Sequence, residues 1–229
     1  MTGRPDDGGA TAMESLYPFL YADTSDLTAV LEQVRASTVA KAAEVVELRR
    51  EIARRDGARM AQCAREMAAR FAAGGRLFAF GNGGSATDAA QLATLFLNPG
   101  RDHPPLPAFG LANDTSVITA LANDVGTEVV FARQLAAFGR AGDIAVGLST
   151  SGNSANLVRA FEEAGRRGML TIGLAGYEGG KMAELDSIAY LFVVPSSSVH
   201  RVQEAQTTIY QVFWELTVEE MSHVPRHTR

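Results

Sequence analysis

The sequence predicts an α/β protein in which a parallel sheet is covered on both faces by helices. Three observations carry that prediction. Five short apolar runs, each of strand length, recur along the chain after residue 76. Segments with apolar residues at helical spacing separate them, and this alternation is what builds a parallel sheet. The turns after the first and third runs, Gly81-Asn82-Gly83-Gly84-Ser85 and Ser149-Thr150-Ser151-Gly152-Asn153-Ser154, are rich in glycine and small hydroxyl residues. In such sheets ligands bind at the carboxyl ends of the strands, where both turns lie.

Composition bounds the function. A chain of 229 residues holds one sizeable core, and its 46% of apolar residues suits a globular protein. With 21 basic against 26 acidic residues the net charge is −5, which argues against a broad nucleic-acid or anionic-membrane surface. Any anion must be bound locally. Cys63 is the only cysteine, so there is no intrachain disulfide and no Cys-rich metal site; its place on a helical face predicts burial. No run approaches the length of a membrane-spanning helix, and residues 1–12 have neither a basic start nor an apolar signal core. The expectation is a cytoplasmic protein with no membrane partner.

Taken in order, residues 1–12 are Gly- and Asp-rich and read as a disordered tail. Residues 13–73 read as N-terminal helices. From about Ser25 to Ala73, Leu27, Val30, Leu31 and Val34 form one apolar stripe and Val45, Val46, Leu48 and Ile52 another. Asp56-Gly57 predicts a break. Met60, Cys63, Ala64, Met67 and Phe71 then resume the helical spacing until Gly74-Gly75 ends it. So much amphipathic helix before the first strand must pack either on a partner subunit or on the chain's own sheet. Residues 74–222 form the sheet domain, with strands expected at Leu77 to Phe80, Ala108 to Leu111, Ile144 to Leu148, Leu170 to Leu174 and Ile188 to Val194. Helices are expected at Ala86 to Leu97, Ser116 to Leu121, Glu128 to Phe138 and Ala155 to Arg167. Residues 223–229 are a polar tail.

The turn after the third strand is the strongest functional signal. Four hydroxyl residues, Ser149, Thr150, Ser151 and Ser154, fall in six positions at the start of a helix, more than an N-cap requires. Hydroxyls, unpaired backbone N–H groups and the positive end of a helix dipole converge there, a combination that holds phosphate without Lys or Arg. In the glycine turn, Gly83 and Gly84 let the backbone approach a ligand, while Ser85 can cap the following helix and donate to an anion. The dinucleotide fingerprint would need glycine where Ala86 stands, and a P-loop would need a Gly-Lys-Ser/Thr ending.

Several motifs occur together. Gly81-Asn82-Gly83-Gly84-Ser85, Ala122-Asn123-Asp124, Ser149 to Ser154, Gly179-Gly180-Lys181-Met182 and Arg201-Val202-Gln203-Glu204 resemble, in the same order, the motifs of phosphoheptose isomerases of the sugar isomerase (SIS) domain family. The resemblance spans about Phe71 to Met221. It implies a flavodoxin-like parallel sheet with added N-terminal helices, a homotetramer, and a phosphosugar pocket at a subunit interface. By match, Ser85, Ser149, Thr150, Ser151 and Ser154 hold the phosphate, Asn82 and Asp114 meet the sugar, and Gln203 belongs to the same binding set. The implied reaction is aldose–ketose isomerisation of sedoheptulose 7-phosphate, in which a proton moves between adjacent carbons through an enediol.

The family's base is a Glu on the helix after the glycine turn, and its acid a His on the last helix. Some members bind zinc through that Glu and a His beside it, with a Gln and the His of the last helix. In this sequence Gln91 stands at the first zinc His, Leu95 at the Glu and Gln211 at the second His, while Gln203 is retained. Leu95 carries no exchangeable proton, and neutral amides are poor bases and weak metal ligands. No cofactor is expected. Substitute acid–base groups are His200, where the isomerases carry an Asp, and Glu204 one turn on. His103 sits in the Pro-rich stretch 100–107, and His223 and His227 in the polar tail. Two functional classes remain open: a phosphosugar isomerase with relocated acid–base groups, and a non-catalytic module that senses a sugar phosphate or binds a protein. The second is the pattern of the DnaA initiator-associating proteins, which Ala90 to Leu95 resembles.

Overall fold

The computed structural model describes residues 27–100 and 103–222. The expectations for residues 1–12 and 223–229 lie outside these. Five strands, β1 (Leu77–Gly81), β2 (Ala108–Gly110), β3 (Ile144–Leu148), β4 (Leu170–Gly176) and β5 (Tyr190–Val194), form one sheet in the order β2-β1-β3-β4-β5. Every neighbouring pair is parallel. The helices are α1 (Leu27–Ala72), α2 (Gly84–Leu97), α3 (Thr115–Val125), α4 (Val130–Phe138), α5 (Ala155–Arg166) and α6 (Val199–Ser222), with short 3-10 turns at Thr127–Val129 and Gly180–Glu184. This order is that of the flavodoxin-like sheet. All five expected strands are present, within about two residues of the expected ends.

Strand alternation sorts the side chains into two cores. Leu77 and Ala79 of β1, with Ile144, Val146 and Leu148 of β3, pack with residues of α1, α2 and α6. Phe78 and Phe80 point the other way, among Phe131 and Leu135 of α4 and Leu157 and Phe161 of α5. The three central strands are buried along their whole length, which is why they read as continuous apolar runs.

The chain divides into two compact units, one ending at Glu44 and the other starting at Val45. In the first, residues 28–44 are helical and exposed, Val30, Leu31 and Val34 included. In the second, Ile52, Met60, Cys63, Met67 and Phe71 enter the core beside the sheet. This stretch of α1 therefore packs on the chain's own domain. Burial, reinforced by the nearby Glu66 carboxylate and only partly opposed by Arg59, pushes the Cys63 thiol pKa up, as befits a core residue rather than a reactive one.

The predicted break at Asp56-Gly57 is absent: α1 runs through it. Asp56 is 3% exposed, and it stays in the helix because the guanidinium groups of Arg55 and Arg59 donate to its carboxylate, at 2.9 and 3.3 Å. The helix ends where glycine predicted. Gly74 takes φ +87°, its N–H donates to the Phe71 carbonyl, and the Gly75 N–H donates to that of Arg70, the paired bonds of a Schellman cap.

A side chain added at Gly57 would meet no atom within 4 Å. Gly57→Ala is therefore expected to stabilise the chain by about 1 kcal/mol through helix propensity. Thermal unfolding should show a rise in Tm of about 2–4 °C; a fall would mean that the helix is in fact broken there.

Candidate functional site

The sheet order reverses between β1 and β3, and there the loops that follow the two strands diverge. The crevice between them is bounded by the N-termini of α2 and α5. Glycine and small hydroxyl residues occupy both loops because the chain must turn from strand to helix within a few residues while its backbone stays close to the crevice. Asn82 on one side and Asn156, in the first turn of α5, on the other are joined by two reciprocal amide hydrogen bonds of 2.9 Å. That pair joins the loop after β1 directly to the start of α5. Asn156 is not among the sequence-predicted residues; the only cue to it is its position two residues after Ser154.

The β3 loop is internally braced. The Ser149 hydroxyl accepts the Gly152 N–H at 3.0 Å and lies 3.5 Å from the Ser154 hydroxyl. The Ser151 hydroxyl accepts the Asn153 N–H at 3.2 Å. Ser154 is the N-cap residue of α5, yet its side chain makes no capping hydrogen bond. Its hydroxyl faces Ser149 instead, so capping does not explain the serine. Ser149 is buried at 4% exposure, and Thr150, Ser151 and Ser154 are half-buried. Beneath the loop, the wholly buried Gln206 of α6 donates to the Ser149 carbonyl at 3.0 Å. Gln206 gives no sign of this in the sequence, since a polar residue inside a helix more often faces water.

Gly152 has φ +69°, and a side chain there would stand 1.9 Å from the Gly179 carbonyl oxygen. Only glycine permits both the left-handed turn and the close approach. The loop after β4 thus lies directly on the cradle, with the Met182 N–H donating to the Gly152 carbonyl at 3.0 Å.

On the other side, Ser85 is 4% exposed. It does not cap α2: the N-cap is Gly83, with φ 55°, and Ser85 lies within the first helical turn, because the tight glycine turn starts the helix earlier than Ala86. Gly83 and Gly84 are exposed at that N-terminus. Gly84 faces Gln203 of α6, whose amide nitrogen is 2.2 Å from where a side chain on Gly84 would begin, so the retained glutamine does adjoin the glycine turn. Asp114 stands at the carboxyl end of β2 as the N-cap of α3, its carboxylate accepting the Val117 N–H at 3.0 Å.

The acid–base positions are placed differently. Leu95 is partly buried and packs on the core with Trp214, while Gln91 and Gln211 are exposed. His200 is exposed in the first turn of α6, and Glu204, also exposed, is ion-paired with Arg201 of its own helix. Among the described residues no cluster of three or more His, Cys, Asp or Glu could hold a metal ion. The donor set that zinc would need does not fit here: two positions offer amides, one offers methyl groups, and only Gln203 is kept.

One carboxyl group does lie along the seam between α2 and α6. Asp88, one turn beyond Ser85, accepts from the Tyr210 hydroxyl at 3.4 Å and also bonds Thr207. Burial raises its pKa above the ordinary carboxylate value, partly opposed by those hydrogen bonds, and burial likewise raises that of Tyr210. A broad open concavity of about 800 Å³ lies at the opposite, amino end of the sheet. Its arginines are engaged by neighbouring carboxylates, Arg159 with Glu162 and Arg166 with Glu163, so size alone does not make it the site.

The SIS domain model matches residues 39–176. The phosphoheptose isomerase of Nitratidesulfovibrio vulgaris (strain Hildenborough) is 43% identical over 187 residues, covering 81% of this chain and 89% of that one. The solved phosphoheptose isomerase GmhA from Neisseria gonorrhoeae superposes with a TM-score of 0.73 at 36% identity, over 80% of this chain and 97% of the other. A phosphoheptose isomerase from Francisella tularensis gives 0.75 at 30%, over 83% and 98%.

A carboxyl whose pKa is raised on folding binds its proton more tightly in the native state, so its contribution to stability falls as pH rises through the window between the unfolded and folded values. Asp88→Asn should abolish that component. The Tm difference between wild type and variant, followed from below the ordinary carboxylate range up to neutrality, is expected to shift in favour of the variant as pH rises; a constant difference would mean that Asp88 titrates normally.

Proposed function

The chain belongs to the SIS domain family, and from that premise we propose that it binds a sugar phosphate at the β1/β3 crevice and acts in the manner of a phosphoheptose isomerase. The observation that carries this reading is the β3 loop, where Ser149, Ser151 and Ser154 gather hydroxyls at a helix N-terminus without using Ser154 as a cap. In this proposal Ser85, Ser149, Thr150, Ser151 and Ser154 surround the phosphate at the ends of α2 and α5. Asn82, Gly83, Gly84, Asp114 and Gln203 border the sugar. Sedoheptulose 7-phosphate is the substrate to try first, and isomerisation would carry a proton between its first two carbons through an enediol. No cofactor enters the proposal, since the zinc donor set does not fit. His200 and Glu204 stay within it as the relocated acid–base groups at the start of α6.

The proposal includes a cytoplasmic location and a homotetramer. Among the described residues no helix is long and apolar enough to cross a membrane. An apolar cleft between α1 and α6, lined by Ile52, Met60, Ile209 and Val212, supports packing against another chain.

A second reading, a sugar-phosphate sensor or protein-binding module without turnover, is favoured by one specific observation. The position of the family's base holds Leu95, which packs its side chain on the core.

Incubating the protein with sedoheptulose 7-phosphate and following the sugar by NMR separates the two. Aldose product formed over many turnovers establishes the isomerase, and ligand-induced shifts in the protein spectrum without product establish the sensor. Under either reading, replacing Ser149 and Ser151 together with Ala should weaken sugar-phosphate binding at least about a hundredfold, because two hydrogen bonds to a charged group are lost. Unchanged affinity in the double variant would remove the phosphate cradle from consideration.

A further inference from the structure

The motif Gly179-Gly180-Lys181-Met182 has no part in the cradle as built from serines, yet the structure sets it against that loop. We propose that Lys181 is the charge partner of the ligand's phosphate, closing the cradle from the β4 side. The inference rests on the phosphate-cradle reading above.

Placement comes first. A side chain at Gly180 would lie 2.5 Å from the Ser151 carbonyl oxygen, so the next residue is anchored at the rim of the cradle. The Lys181 N–H donates to the Asn153 side-chain oxygen at 3.0 Å, and the Asn153 amide in turn donates to the Ser151 carbonyl at 3.2 Å. The backbone of Lys181 is therefore held two hydrogen bonds from Ser151, while the residue is exposed and carries its ammonium on a flexible four-carbon stem. The chain reaches this position through Tyr177, whose φ of +55° makes it the one non-glycine residue in the left-handed region among those described. Backbone strain of this kind persists only where surrounding contacts hold it, and it gathers at ligand-binding turns.

Charge comes second. Hydroxyls and backbone N–H groups donate hydrogen bonds but carry no net charge, whereas a phosphate monoester carries about −1.5 to −2 at neutral pH. The chain itself is at −5, so an approaching dianion is repelled unless a cation stands at the site. The chain has two lysines, Lys41 and Lys181. Every ion pair found among the described residues uses an arginine, and none engages Lys181. A compact ammonium with three donors on a flexible stem suits a phosphate whose orientation is already set by other groups.

The test is calorimetric titration of the full chain with sedoheptulose 7-phosphate and with inorganic phosphate, between about 0.01 and 1 M salt. Lys181→Met should weaken binding about three- to tenfold at low salt, and its affinity should lose most of the salt dependence of the wild type. Lys181→Arg should restore both. The unliganded Tm should be the same in all three proteins, since among the described residues the side chain has no partner to lose. Wild-type affinity and salt dependence in Lys181→Met would overturn the inference and leave the cradle standing. Failure of the wild type to bind either ligand would overturn the cradle and Lys181 with it.

Discussion

The arrangement depends on a reversal of strand order. From β1 the chain winds toward β2, and from β3 it winds toward β4 and β5, so the loops after β1 and β3 cannot cover one another. Two neighbouring strands thus end in a crevice, and two helix N-termini arrive at it with backbone N–H groups that have no partner inside their helices. Such a crevice must either be filled by side chains or be kept open and polar. Here the lining is polar: glycines keep the β1 loop without side chains, the Asn82–Asn156 pair joins the two sides, and Gln206 donates to the Ser149 carbonyl beneath.

Most of the sheet was legible because burial on both faces leaves a direct trace in sequence. Ile144 to Leu148 is a run without a polar residue, and the structure buries all five. The helices were legible to within a few residues for the converse reason, as half-buried cylinders with spaced apolar positions. The break expected at Asp56-Gly57 shows where local reading stops. Asp and Gly together are a turn signal, but two arginines on the same helix satisfy the buried Asp56 carboxylate, and glycine in a helix costs only about 1 kcal/mol. Tertiary burial outweighs that. Ser85 shows a subtler limit: a serine after glycines looks like a cap, but the left-handed Gly83 had already started the helix.

At the site, the residues that meet in the β3 loop were legible because they are consecutive. Those that support it were not. Gln206 is 57 residues from Ser149, and the Gly179 carbonyl that confines Gly152 lies on another loop. Contacts of that kind are decided by which strand ends lie side by side, a matter of topology rather than of local composition.

The three positions where the resemblance to phosphoheptose isomerases would place ionisable groups, 91, 95 and 211, hold Gln, Leu and Gln. A lone Glu kept beside amides would be a partly buried charge without a partner, which is costly. Instead all three positions are neutral: Leu95 packs against the core, and Gln91 and Gln211 face solvent. Asp88, the carboxyl that remains in the seam between α2 and α6, is held by Tyr210 and Thr207, and burial favours its protonated form. Positions 91, 95 and 211 are thus uncharged, while Ser149, Thr150, Ser151 and Ser154 gather their hydroxyls in the loop after β3. The hydroxyls proposed to hold the phosphate and the groups proposed to move a proton therefore lie on different elements, the former on the loop after β3 and the latter, His200 and Glu204, on α6.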